Sequence, residues 1–369
     1  MIAREIRLKN FRNIREATVT FAPGVNVLCG DNAEGKTNLL EAVYFAAIGK
    51  SFRGQHLSEV ISFDETEASL SLDFFGGGRE QNIYLRLFGN RMKAVEKNRV
   101  RMARMSELMG AFRAVLFCPE HLSLIKDGPS ERRQYLDIAI SSAEPLYLAS
   151  LQRYNRILKQ RNALLKTAEE APETFEATVD VWSAQLAKEA AFLSRSRRRF
   201  ITRAAAHIAR CFEEMTDARE KPTVTYLGPG GRDWDYEDTS ATEALCLEKL
   251  TTRHEREIAA GATLWGVHKD DIEVLLNGKE ARLYASQGQQ RSLALAFKLA
   301  EGEVCREDCG EYPVFLLDDV LSELDGGRRR YLMEQLGDKQ VILTTCEEDG
   351  FDAPRRIRVK GGVYTPQNG

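Results

Sequence analysis

Gly30-Asp31-Asn32-Ala33-Glu34-Gly35-Lys36-Thr37 reads G-x-x-x-x-G-K-T. The apolar run Val25-Asn26-Val27-Leu28-Cys29 precedes it, and Asn38-Leu39-Leu40-Glu41-Ala42-Val43-Tyr44-Phe45-Ala46 follows with a helical pattern. Strand, glycine-rich turn and helix, in that order, are the setting in which such a sequence holds phosphate. Gly30 and Gly35 allow a tight turn whose N–H groups converge on phosphate oxygens. The N-terminus of the following helix adds the positive end of its dipole. Lys36 supplies a point charge for β- and γ-phosphates, and Thr37 a hydroxyl for Mg²⁺. Asn32 and Asn38 complete the nucleotide-binding candidates at this end.

The chemical complement lies at the other end of the chain. Val314-Phe315-Leu316-Leu317-Asp318-Asp319 follows Pro313, and its apolar part suits a strand buried on both faces of a parallel sheet. A carboxylate at the C-terminal end of such a strand sits in the crevice where α/β sheets hold ligands. Asp318 is placed to hold Mg²⁺ through water, and Asp319 to polarise an attacking water. A second anion-binding surface is expected at Tyr284-Ala285-Ser286-Gln287-Gly288-Gln289-Gln290-Arg291-Ser292, which opens a helix from Leu293 to Ala300. Its candidates are the Ser286 hydroxyl and the helix-start positions Gly288 and Gln289.

At 369 residues the chain can bury a large core, and two or three domains are expected. A hydrophobic content of 43% beside 29% charged residues is that of an ordinary globular protein. The formal charge of −3 gives no global attraction for nucleic acid, so a DNA surface has to be a local patch. No stretch reaches the roughly 20 apolar residues that span a bilayer. Met1-Ile2-Ala3-Arg4-Glu5 has no apolar core of a cleavable leader. Seven scattered cysteines do not form a disulfide framework, and Cys305 and Cys309 are the only close pair. Free thiols in a reducing cytoplasm are expected.

Short strand-like runs fill the first hundred residues: 2–8, 17–21, 68–74, and 83–88 before a Gly89-Asn90 hairpin turn. The middle changes character. Tyr147, Leu151, Tyr154, Leu158 and Leu165 fall on one helix face between about Pro145 and Lys166. After a break at 169–174, the pattern resumes with Phe175, Val179, Trp182, Leu186, Ala190 and Leu193, and continues through Phe200, Ala204 and Ile208. Two long helices in an antiparallel hairpin are expected, the second on the order of 60 Å long. The pattern lapses around Gly228-Pro229-Gly230-Gly231 and returns to alternating strands and helices from about Gly261. The fold class is α/β: a P-loop head of mixed sheets and helices, interrupted by a mainly helical lobe. Residues 1–125 are read as the first part of the head, 126–258 as the lobe and 259–369 as the second part.

The arrangement resembles the ABC-type ATPase heads of the SMC and Rad50 group, and more specifically the RecF family of bacterial DNA replication and repair proteins. The resemblance rests on Leu8-Lys9-Asn10-Phe11-Arg12-Asn13, Gly35-Lys36-Thr37-Asn38-Leu39-Leu40-Glu41-Ala42, Pro129-Ser130-Glu131-Arg132-Arg133, Ser286-Gln287-Gly288-Gln289-Gln290-Arg291 and Leu317-Asp318-Asp319-Val320-Leu321-Ser322-Glu323-Leu324-Asp325. It implies a slow ATPase in which two subunits sandwich two ATP molecules with Mg²⁺. Lys36, Thr37 and Asp318 would come from one subunit, Ser286 and Gly288 from the other, and Asp325 from a loop crossing the interface. It also implies duplex DNA near single-strand gaps as a ligand, bound without sequence preference, and RecR and RecO as partners in loading RecA. Hydrolysis then acts as a timer that removes the γ-phosphate bridge.

Two departures from the family pattern stand out. Gly266-Val267-His268-Lys269-Asp270-Asp271 has lysine where arginine is expected, and a lysine cannot form a bidentate fork. The switch position, histidine in many ABC proteins, falls at Thr344-Thr345, and His268 is given no catalytic role. For DNA contact, Arg91, Lys93, Lys97, Arg99, Arg101 and Arg104 cluster around a predicted hairpin, and Arg195, Arg197, Arg198 and Arg199 in the long helix. Such side chains neutralise phosphates without reading bases. The rival reading, an ATPase subunit of another DNA or transport machine, has to account for the large interrupting lobe.

Overall fold

Alternation of apolar and polar residues makes β1 (Ile2–Phe11), with Ile6 and Leu8 buried and Arg7 and Lys9 exposed. The chain turns back at once as β2 (Ile14–Thr20) and continues through β3 (Val25–Cys29) into α1 (Lys36–Ile48). The structure, a computed structural model, describes residues 1–54, 56–217, 219–346 and 353–367. Contacts divide the chain into two compact units, one of residues 1–123 with 294–369 and one of residues 124–293.

The first unit continues with β4 (Glu67–Gly76), β5 (Arg79–Phe88), β6 (Arg91–Lys97), β7 (Val100–Arg101) and β8 (Ala114–Phe117). The second unit holds α2 (Pro129–Ala143), α3 (Pro145–Lys166), α4 (Pro172–Met215), β9 (Pro222–Leu227), α5 (Thr239–Thr251) and α6 (His254–Ala260). It also holds β10 (Asp271–Leu276), β11 (Lys279–Glu280), α7 (Ala281–Tyr284) and the start of α8 (Gln287–Cys309). The chain then completes the first unit with β12 (Val314–Leu317), α9 (Gly326–Leu336), β13 (Val341–Thr345), β14 (Arg355–Lys360) and β15 (Val363–Gln367).

Two six-stranded sheets organise the first unit. One is antiparallel, in the order β2-β1-β4-β5-β6-β7. The other, β15-β14-β3-β13-β12-β8, is parallel from β14 to β8 with β15 antiparallel at its edge. Every residue of β3, β8, β12 and β13 is buried, as strands covered on both faces require. Because β3, β13 and β12 run parallel, Gly30, Thr345 and Asp318 emerge at one edge of the sheet. The two ends of the sequence therefore meet, as the separated motifs demanded.

α1 touches β1 and β4 of one sheet and β8 and β13 of the other, which explains why it is apolar nearly all round. Its one buried carboxylate, Glu41, is fully covered and takes a bidentate pair from Arg12 at 3.0 and 2.7 Å. That bond ties the turn after β1 to the helix that follows the phosphate loop. It accounts for two of the family-like segments without any ligand.

In the second unit α3 and α4 are antiparallel neighbours: Arg153 meets Glu189 at 2.6 Å and Arg161 meets Ser183 at 3.1 Å. The predicted apolar face of α4 is buried from Phe175 to Ile208 apart from half-exposed Trp182. At 44 residues α4 runs about 66 Å. β9, β10 and β11 form a three-stranded sheet, so residues 271–280, grouped by their motifs with the second part of the head, pair with β9.

Of the second basic cluster on α4, Arg195 and Arg198 are half-buried, Arg199 is exposed, and Arg197 turns inward. Arg197 is buried, donating to the Val267 carbonyl at 2.7 Å, Asp270 at 2.8 Å, Asp137 at 2.8 Å and the Tyr147 hydroxyl at 2.9 Å. Arg199 is paired with Glu237 at 2.7 Å. Arg132 forks onto Asp271 at 2.6 and 2.9 Å, and Arg133 reaches the Asp270 carbonyl at 2.8 Å. Thus Pro129–Arg133 and Gly266–Asp271 bind each other. Burial dominates the Asp270 carboxyl and pushes it up to about 7, against the pull of Arg197 and Tyr226. His268 packs with Tyr154 at 2.7 Å and the Thr263 carbonyl at 3.0 Å, while Lys269, in place of the expected arginine, is exposed.

Candidate phosphate-binding site

Gly35 is the N-cap of α1 with φ 111°, a conformation that favours glycine, and Ala33 also has positive φ, 66°. Neither a capping side chain nor an acidic residue occupies the first turn of α1. The helix therefore offers its N–H groups and dipole to an anion without a competing carboxylate. Lys36 is 7% exposed, and its ammonium is bonded to the Gly30 carbonyl, to the Asp31 carbonyl at 3.1 Å and to Cys346 Sγ at 3.2 Å. It is thus curled over the loop it belongs to. Asn32 accepts from Cys346 at 3.0 Å, and Asn38 bonds Asn13 at 2.7 Å and Arg53 at 2.8 Å.

The acidic end arrives at the same place. The Thr37 hydroxyl donates to Asp318 Oδ1 at 2.8 Å, and the Thr344 hydroxyl donates to the same oxygen at 3.0 Å. Thr344 in turn accepts the Asp319 N–H at 2.9 Å. The last residue but one of β13 therefore holds both aspartates in register. Burial raises the Asp318 carboxyl above the ordinary range, and the Thr37 and Thr344 hydroxyls pull it back. Asp319 is exposed and has φ 50°, a strained conformation for a non-glycine residue.

Among the described residues no cluster of three or more His, Cys, Asp or Glu could hold a metal by itself. The converging oxygens of Thr37 and Asp318 suit Mg²⁺, a hard cation that takes one or two protein ligands and completes its shell with water and substrate phosphate.

In the second unit, Ser286 and Gln289 form a reciprocal cap at the start of α8: the Ser286 N–H donates to Gln289 Oε1 at 2.6 Å, and the Gln289 N–H to Ser286 Oγ at 3.3 Å. Gln289 also bonds Glu220. Gly288 lies in the first turn, so the expected helix-start geometry is present. Asp325, in the first unit, caps α9 by accepting the Arg328 N–H at 3.0 Å.

Arg91, Lys93, Arg99 and Arg101 are exposed along β6 and β7. Asn98 and Arg99 both have positive φ, 52° and 65°, which forms the tight turn joining the two strands. Lys93 lies over the Phe88 ring at 5.0 Å, and Lys97 is partly desolvated, which lowers its pKa. The candidate list missed Asn13, Glu34, Cys346 and Tyr364, all at the loop. Asn13 lay within a quoted family-like segment; Cys346 and Tyr364 carried no sequence signal, since their proximity is created by the parallel sheet.

Residues 2–365 match the RecF/RecN/SMC N terminal domain family. A DNA replication and repair protein RecF of Ruminiclostridium cellulolyticum is 38% identical over 355 residues, covering 95% of this chain and 94% of that one. The RecF of Heliobacterium modesticaldum is 38% identical over 366 residues, with 99% and 97% covered. A solved structure of the recombination mediator protein RecF-ATP in the RecFOR pathway superposes with a TM-score of 0.92 at 31% identity, covering 100% of this chain and 98% of that one. The Smc head domain of Pyrococcus furiosus, at 18% identity and a TM-score of 0.56 over 100% of this chain and 96% of that one, shares the fold. The family-like segments, the paired sheets and these likenesses agree: the chain belongs to the RecF family of DNA replication and repair proteins, built on an ABC-type ATPase head.

Proposed function

We propose that this protein binds ATP with Mg²⁺ at Gly30–Thr37 and uses it to close a dimer on duplex DNA beside single-strand gaps. The bond between Thr37 and Asp318 carries the reading, because it joins the phosphate loop to the acidic strand end at 2.8 Å. In this reading the loop amides, with Asn32 and Asn38 beside them, and Lys36 hold the β- and γ-phosphates. Thr37 and Asp318 hold the metal, which screens the phosphate charge. Asp319 orients the attacking water, and Thr344 keeps Asp318 and Asp319 in place. Ser286, Gly288 and Gln289 of a second copy complete the site from across the dimer. Slow hydrolysis, stimulated by DNA, removes the γ-phosphate and lets the dimer open. DNA is held by Arg91, Lys93, Arg99 and Arg101 without reading bases. The solved RecF-ATPrS and RecF-ATP, each described in the RecFOR pathway, support ATP as the nucleotide and RecR and RecO as partners.

Lys36→Met is the direct test. The variant should fold and lose MgATP binding in a filter or calorimetric assay. Wild-type affinity in Lys36→Met would remove the phosphate loop from the account.

A further inference from the structure

The C-terminal hairpin lies along the phosphate loop and touches it at three places. β14 and β15 are joined by Gly361-Gly362, both with positive φ, 56° and 77°, a two-residue turn that glycine allows. The Gly362 N–H donates to the Glu34 carbonyl at 2.9 Å, and the Gly361 N–H to the Glu34 carboxylate. The Tyr364 hydroxyl donates to the Gly35 carbonyl at 2.8 Å. Further back, Gly30 packs so closely on Val359 that a Cβ there would run into the Val359 carbonyl. The turn between β1 and β2 packs beside both the loop and the hairpin. A Cβ on Gly35 would meet Asn13 Oδ1 at 3.0 Å, and one on Gly362 the Asn13 carbonyl at 2.9 Å.

These contacts act on direction. A trans peptide unit is planar, so its carbonyl and its N–H point to opposite sides. Holding the Glu34 carbonyl on Gly362 turns the Gly35 N–H away from the hairpin. Holding the Gly35 carbonyl on Tyr364 does the same for the Lys36 N–H. Those are the amides at the mouth of α1, where an anion is favoured. Leu39 also donates to the Gly35 carbonyl, at 3.2 Å, so Tyr364 supplies part of the restraint. Burial raises the Tyr364 phenol above its ordinary range, so it stays a neutral donor.

We infer that the β14–β15 hairpin is a positioning element for the phosphate loop, with Tyr364 as the side chain that sets the loop amides for phosphate. The inference rests on reading Gly30–Thr37 as the nucleotide site. Tyr364→Phe keeps the ring and removes the donor. It should weaken MgATP and ADP by the same factor, about three- to tenfold, because both carry the phosphates that the amides cradle. Thermal unfolding of the nucleotide-free variant should match wild type. Unchanged affinity, a loss confined to ATP, or a fall in nucleotide-free stability that accounts for the lost affinity would each overturn the hairpin's role. Lys36→Ala, measured alongside, separates the two claims. If it binds as wild type, the nucleotide-site reading fails and takes the inference with it. If it loses binding while Tyr364→Phe does not, the inference alone fails.

Discussion

Asp318 shows how single residues place chemistry in this head. Its carboxylate is buried, costs free energy to desolvate, and is compensated by two hydroxyls, one from β13 and one from the first turn of α1. Thr344 falls at the switch position that is histidine in many ABC proteins. Its hydroxyl is committed to Asp318 and to the Asp319 N–H, a role that needs the β12–β13 pairing to be known first. Glu41 makes the same point in the core. Glu41→Ala leaves the Arg12 guanidinium in a largely covered place without its partner. We expect a loss of about 3 kcal/mol, read from the urea midpoint at unchanged m-value, at the low end of the range for buried pairs because Arg12 keeps some solvent. A change under about 0.5 kcal/mol would show that the pair is not structural.

At the scale of elements, periodicity was a good guide where it was long. α3 and α4 follow their apolar stripes, and the Gly89-Asn90 turn joins β5 to β6 as read. It failed where a polar residue is buried by a partner from elsewhere. Arg197, a DNA-contact candidate in the sequence, lies on the inward face of α4 against Asp270, a partner far away in sequence, and Arg161 is likewise buried against Glu257. A run of arginines alone does not distinguish a DNA surface from an internal network. The β6–β7 hairpin differs, since its turn and strand arginines are exposed. Replacing Arg99 and Arg101 by Ala should weaken duplex binding at every sequence alike. It should also lower the slope of log K against log salt by about 2, one for each phosphate contact. An unchanged slope would move the DNA surface elsewhere.

At the scale of the whole molecule, the phosphate loop and Asp318 were legible from the sequence as two halves of one site. The parallel strands β3, β13 and β12 explain how they meet. The Ser286 segment was legible as a helix start. The part proposed for it in a second copy's site came from the family resemblance alone, because one copy shows only a capped helix there. Completion of the site by a second subunit is the central claim. Light scattering of the Asp319→Asn variant with MgATP, with ADP and without nucleotide, each with and without gapped duplex, tests it most directly. The account predicts a monomer without nucleotide or with ADP, and with MgATP a dimer that outlasts the wild-type one because hydrolysis is slowed. A protein that stays monomeric under every condition, or dimerises equally with ADP, would contradict it.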